Sequence, residues 1–134
     1  MNKCRIIVGL PGSGKTYYAE HNPLGILFDD PAQNHKSFQK LKAAVKAGSD
    51  ITITDVYACD ADSRYIMVAS LVDWNPRLEI SWVFFANNLE ACIANVQRRN
   101  DGRDVSPEFV TEASKHYAIP IGTPFLDVYT PPEK

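Results

Sequence analysis

The eight residues Gly9-Leu10-Pro11-Gly12-Ser13-Gly14-Lys15-Thr16 match G-x-x-x-x-G-K-[ST], and they sit between an apolar run and a segment competent to form a helix. In such a loop the glycines let successive backbone N–H groups turn inward toward phosphate oxygens. The start of the helix that follows adds positive partial charge. Gly9, Pro11, Gly12, Ser13 and Gly14 would form the cradle, Lys15 would bridge the β- and γ-phosphates of a nucleoside triphosphate, and Thr16 would place its hydroxyl on Mg²⁺. The bland alternative is a glycine-rich turn that binds nothing. Lysine, hydroxyl and preceding strand all in register count against it.

Three acids follow apolar runs of strand length. Asp29 and Asp30 close the run Gly25–Phe28, and Asp55 closes Ile51-Thr52-Ile53-Thr54. Ligands of open parallel sheets gather outside the carboxyl ends of the strands, so these positions are candidates for chemistry. Asp55 has the pattern of a Walker B acid, holding Mg²⁺ directly or through water; a turn-forming aspartate is the alternative. Asp29 is suited to take the proton of an attacking hydroxyl, with Asp30 as its support on the acceptor side. An Asx-Pro turn into Pro31 is the alternative there. A third group is basic: Arg98-Arg99-Asn100-Asp101-Gly102-Arg103-Asp104. Guanidinium groups on a loop between helices can stabilise the charge of a phosphoryl group in transfer, which makes residues 98–107 a candidate lid. Cations favoured at a helix C-terminus are the competing explanation for Arg98 and Arg99. Arg64, Lys36 and His35 lie beyond strands on the same expected face and are candidates for an acceptor groove.

These residues need a frame that brings strand ends together. Apolar runs alternate with helix-period segments, the pattern of an α/β domain with a parallel sheet. Five strands are predicted: Cys4–Val8, Gly25–Phe28, Ile51–Thr54, Ile80–Phe85 and Phe125–Tyr129. A helix carrying Phe38, Leu41, Ala44 and Val45 stops at Gly48. Asp62 is expected to cap a second, with Tyr65, Ile66, Ala69, Leu71 and Val72 as its apolar face. Asn88 caps a third bearing Leu89, Cys92, Ile93 and Val96, and Ser106-Pro107-Glu108 opens a last one running to about Tyr117. The aromatics Tyr17, Tyr18, Trp74 and Trp82 read as packing residues.

The 134 residues suffice for one core, burying about two-thirds of the unfolded surface. A net charge of −2 excludes a globally basic nucleic-acid coat. Cys4, Cys59 and Cys92 are too few and too scattered for a zinc site, and an odd count fits a reducing cytoplasm better than a disulfide framework. The apolar runs are too short for a membrane span or a signal peptide.

Taken in order along the chain, the GLPGSGKT loop, the Asp29-Asp30 pair, Asp55 followed by Arg64, and Arg99-Asn100-x-x-Arg103 before Pro107 resemble the P-loop kinases. Within them, the likeness is to bacteriophage polynucleotide 5′-hydroxyl kinases and to zeta-toxin-like and gluconate-kinase-like enzymes. The resemblance implies a single domain over residues 1–134. It would be a three-layer α/β P-loop NTPase of kinase type, with a five-stranded parallel sheet of order 2-3-1-4-5, helices on both faces and an arginine-rich lid. It implies ATP and Mg²⁺ as cofactors served by Lys15 and Thr16, Asp29 as general base, and Arg103 on the β/γ-phosphates with Arg99 assisting. The implied activity is transfer of the γ-phosphate to a hydroxyl, with a nucleic-acid 5′-hydroxyl favoured. A small-molecule acceptor (nucleoside, nucleotide or sugar) and a non-catalytic ATP-binding module are the alternatives. One departure bears on the acceptor. Polynucleotide members carry basic residues on both sides of the Asp-Asp pair, whereas here Phe28 precedes it and Pro31-Ala32-Gln33-Asn34 follows.

Overall fold

Ile6, Ile7 and Val8 have no solvent exposure at all, and three consecutive buried apolar residues are what a strand covered on both faces requires. They belong to β1 (Lys3–Val8), one of the two inner strands of the described sheet. The computed structural model describes residues 1–98 and 105–130. Within them β1 pairs in parallel with β3 (Ile51–Thr54) on one side and β4 (Glu79–Phe84) on the other, and β2 (Ile26–Asp29) pairs in parallel with β3 at the edge. The order is β2-β3-β1-β4. Thr54 is in register with both Ile7 and Asp29, so the carboxyl ends of three strands share one edge of the sheet.

The expected fifth strand does not form among the described residues. Leu126 reaches the place beside β4, where its N–H donates to Phe84 O (2.8 Å) and its carbonyl accepts from Ala86 N (2.8 Å), but the pairing is one bridge with Phe85. Pro124 cannot donate to a ladder, and Phe125 and Leu126 are exposed, so no burial rewards longer pairing. The chain then leaves the sheet: Tyr129 N–H donates to Ser13 O (3.0 Å).

Among the described residues five helices connect and cover the sheet: α1 (Lys15–His21), α2 (His35–Lys46), α3 (Ala61–Trp74), α4 (Leu89–Arg98) and α5 (Pro107–His116). Asn34 caps α2 and Gly48 follows its end at φ 78°, a conformation that glycine adopts without steric cost. Asn88 accepts from Ala91 N–H at the start of α4, and Ser106 from Phe109 N–H at the start of α5. The cap of α3 is Asp60, not Asp62: its carboxylate accepts from both the N–H and the hydroxyl of Ser63. Of the expected apolar face of α3 only Leu71 is buried. Tyr65, Ile66, Ala69 and Val72 are exposed, while Arg64 and Leu71 are the buried pair. Side chains split across the sheet: Cys4, Ile6 and Val8 join Leu41 of α2 and Leu71 of α3 in the larger core, while Ile7 packs with Ala19 of α1 and Phe85. Truncating a wholly buried isoleucine such as Ile6 to alanine should cost about 2–5 kcal/mol. No described helix is long and apolar enough to cross a membrane.

Candidate active site

The loop between β1 and α1 depends on backbone conformations that side chains resist. Gly12 and Gly14 stand at φ 85° and 107°. A Cβ on Gly12 would lie 2.5 Å from Cys92 O, and one on Gly14 would lie 2.7 Å from the Cβ of Tyr129. The Lys15 ammonium braces the loop, donating to Gly9 O (2.7 Å) and Leu10 O (3.0 Å). Burial lowers its pKa, opposed by Cys59, Asp30 and Asp29 nearby. Burial pushes the Cys59 and Cys92 thiols up to about 12 and about 11, so at neutral pH the carboxylates are the charges that favour the ammonium. Ser13 is buried; its hydroxyl is directed back at Gly9 and has no hydrogen-bond partner, while its carbonyl accepts from Tyr129.

A cavity of about 290 Å³ opens over this loop and brings Pro11, Gly12, Gly14, Lys15 and Thr16 together with Asp29 and Asp30. Both acids are tied to the adjacent strand. Thr54 Oγ1 donates to Asp29 Oδ1 (2.5 Å), and Asp30 N–H donates to Thr54 O while Asp30 Oδ1 accepts from Val56 N–H (3.3 Å). Asp30 adopts the left-handed conformation (φ 49°, ψ 49°), which aspartate tolerates better than most side chains, and Pro31 then opens the 3₁₀ turn Pro31–Gln33. The fold thus fixes two adjacent carboxyl groups at the mouth of a phosphate-type cradle.

No protein-family model matches the chain, and no curated protein is significantly similar to it. Solved structures are similar. A chain of the Pnkp1/Rnl/Hen1 RNA repair complex superposes with a TM-score of 0.67 at 18% identity, over 85% of this chain and 43% of that one. A gluconokinase from Sinorhizobium meliloti 1021 superposes with a TM-score of 0.58 at 15% identity, over 97% of this chain and 85% of that one. The chain therefore shares its fold with these two structures. The chain spans less than half of the repair-complex chain and most of the gluconokinase.

Around the cavity the remaining candidates separate. Asp55 is fully buried and does not line the cavity: one oxygen accepts from Tyr57 N–H (3.0 Å) and the other from Ala32 N–H (3.0 Å). It thereby joins the turn Pro31–Gln33 to the turn Val56–Cys59. Burial raises its pKa, opposed by those two amides and reinforced by Asp30. Arg64 stands apart from the cavity. Its buried guanidinium donates to Ala118 O (2.5 and 3.0 Å) and Cys59 O (3.4 Å) and lies 5.2 Å from the Phe84 ring centroid, so its contacts are those of a packing residue rather than an acceptor groove. His35 and Lys36 are exposed at the start of α2 and do not line it either. Arg99, Gly102 and Arg103 lie outside the described residues. Val105 and Phe109, just beyond them, do line the cavity.

Three of its lining residues are not evident from the motif: Gln33, Asn95 and Tyr129. Asn95 Nδ2 donates to Gly12 O (2.9 Å) and Tyr129 O (2.6 Å), clamping the loop to the last described residues. Its signal is a polar residue between Cys92 and Val96, on the buried side of α4. The Tyr129 ring stacks on Tyr17, which stacks on His21, with centroids 4.1 and 3.9 Å apart.

Proposed function

We propose that the protein is an ATP-dependent phosphotransferase that moves the γ-phosphoryl group of Mg-ATP to a hydroxyl acceptor, with a nucleic-acid 5′-hydroxyl favoured. The observation that carries this reading is the single cavity shared by Lys15 and Thr16 of the loop and Asp29 and Asp30 after β2. The positive φ values at Gly12 and Gly14 turn the loop backbone in the way that suits phosphate oxygens. Lys15 would exchange its two loop carbonyls for β- and γ-phosphate oxygens. Mg²⁺ would be held by Thr16, and Asp55, whose oxygens are taken by backbone amides, would reach it only through water. When bound, the metal neutralises charge on the phosphates.

In the transfer, the acceptor oxygen bonds to the γ-phosphorus, the bond from that phosphorus to the β–γ bridging oxygen breaks, and ADP leaves. The hydroxyl proton passes to Asp29, which the Thr54 hydroxyl orients. Arg103 and Arg99 would supply positive charge to the transferring group. A small-molecule acceptor is the second reading, supported by superposition on the gluconokinase over nearly the whole chain.

The test is transfer of labelled γ-phosphate from Mg-ATP to 5′-hydroxyl DNA and RNA, nucleosides, nucleotides and sugars, with Lys15→Ala as the blank. Labelling of oligonucleotides is the expected outcome. Labelling of a sugar alone would move the assignment to the second reading, and ATP binding without any labelling would favour a non-catalytic module.

A further inference from the structure

Each of α2 and α3 follows one strand of the parallel sheet and precedes another, so the two helices run in the same direction, and they lie side by side over the larger core. The Phe38 ring meets Trp74 edge-on, centroids 5.3 Å apart, and Asn75 Nδ2 donates to Val45 O (3.1 Å), which sets the C-terminal ends of the pair level. An apolar cleft of about 230 Å³ stays open between them, walled by Phe38, Leu41, Met67 and Trp74. On the outer side of α3, Tyr65 is 76% and Ile66 65% exposed, and Ala69 and Val72 are exposed beside them. A helix that shows apolar side chains to the core and to water alike is ordinarily covered on both sides.

The charges of this face are divided by helix. α2 carries Lys36, Lys40, Lys42 and Lys46 and no acid, whereas α3 carries exposed Asp62 and Asp73, and its one basic residue, Arg64, is buried. Lys36, Lys40 and Lys46 are exposed, and Lys42 rests over the Trp74 ring (5.9 Å). None of these lysines and neither aspartate forms a salt bridge among the described residues. The two sets have matching spacing. Lys36 and Lys46 are ten positions apart and Asp62 and Asp73 eleven, about 15 Å and about 16.5 Å along a helix axis. Between them stand the small exposed residues Ala43 on α2 and Ala69 on α3, each seven positions after the first charge of its set, which let two backbones approach.

We propose that the face formed by α2 and α3 is a self-association surface covered by a second copy of this chain, turned about a two-fold axis parallel to the helices so that α2 of each protomer lies over α3 of the other. That rotation keeps every residue at its level along the helices. Lysine side chains lean toward the helix N-terminus, which brings Lys36 to the partner's Asp62 and Lys46 to the partner's Asp73. A two-fold contact repeats itself, so each pair forms twice. The other face-to-face two-fold, perpendicular to the helices, would lay α2 on α2 and set lysines against lysines, and like charges select against it. The apolar cleft and Ile66 fall at the centre and the charges at the rim, the anatomy of a specific interface, with lysine stems covering apolar surface. The proposal is independent of the phosphotransferase reading, because none of these residues lines the phosphate cavity.

The test is the mass of the full chain in solution, measured by sedimentation equilibrium at about 0.05 M and about 0.5 M salt, between which the screening length falls about threefold. A dimer is expected at the lower salt, with its Kd raised about tenfold or more at the higher. Two reversals of exposed charge, Lys36→Glu with Lys46→Glu and Asp62→Lys with Asp73→Lys, should each give a monomer with the circular dichroism of the native chain. Lys36→Gln with Lys46→Gln removes charge without reversing it and should weaken the dimer by a smaller factor. The two reversed chains mixed in equal amounts should form a heterodimer, since acid then faces base at every contact, and a chain carrying all four reversals should pair with itself. A native chain that is monomeric at about 0.1 mM and low salt would overturn the proposal and leave α2 to an acidic partner. A dimer that persists in either reversed chain would overturn it by placing the contact elsewhere. Reversed chains that fold but fail to associate when mixed would overturn it as well.

Discussion

The phosphate loop and the acid-bearing corner beside it are built on different principles. In the loop the backbone sets the shape: Gly12 and Gly14 hold conformations that exclude side chains, and Lys15 donates to carbonyls five and six residues away. In the corner the carboxylate side chains are held by distant partners. Asp29 is fixed by Thr54, Asp30 by Val56, and Asp55 spans Ala32 and Tyr57, links of 23 to 26 positions except for the last. A local device tolerates no change at its critical residues. A non-local one spreads its stability over several strand ends and should fail by degrees.

The sharpest way to break this contrast is Gly12→Ala. Its φ of 85° and the 2.5 Å approach to Cys92 O leave no room for a methyl group. The substitution should cost more than about 2 kcal/mol and abolish ATP binding measured by calorimetry. Intact binding would show that the loop is not the rigid element described. Next in size is Arg64→Leu, which strands the carbonyls of Ala118 and Cys59 and loses the contact with Phe84. A stability loss of about 3 kcal/mol in urea is expected, with acceptor KM unchanged. Full stability with a raised acceptor KM would return Arg64 to the groove.

The smallest expected effect is at Asp55. Asp55→Ala removes the acceptor of two amides and should cost about 1–2 kcal/mol. Asp55→Asn sharpens the comparison through pH. Burial raises the Asp55 pKa, so the fold holds that proton more tightly than the unfolded chain does. The contribution of Asp55 is therefore most favourable below the unfolded value of about 3.9 and is lost as pH rises through the raised one. Asp50, Asp60 and Glu112 have lowered values and act in the opposite sense, so the difference between variant and native chain is the quantity to follow. That difference should move in favour of Asp55→Asn as pH rises above the unfolded value of about 3.9. A flat difference would mean that the carboxylate is ionised without penalty.

The same contrast decides what the amino-acid sequence reveals. The loop is legible because its conformation is encoded within eight residues, and Ile51–Thr54 is legible because its four residues are all buried. Asp29 and Asp30 are found through the strand they end. Arg64 is misread because the carbonyl that accepts its guanidinium lies 54 positions away at Ala118, and no local period shows that an arginine replaces Tyr65 and Ile66 on the inner face of α3. Asp62 is expected as the α3 cap, but the N–H and hydroxyl of Ser63 bond to Asp60 instead, a choice that composition does not reveal. The segment Phe125–Tyr129 has strand composition but turns away after one bridge, because Tyr129 is held by Ser13 and Asn95 at the loop.

The central claim of the proposed function is that Asp29 takes the acceptor's proton in phosphoryl transfer and is not needed to bind the nucleotide. Asp29→Asn tests it most directly, with ATP affinity and single-turnover transfer measured on the same sample. The account predicts affinity within about threefold of the native chain and transfer reduced by about 10²- to 10⁴-fold. Transfer retained within about tenfold would contradict it and remove Asp29 from the chemistry.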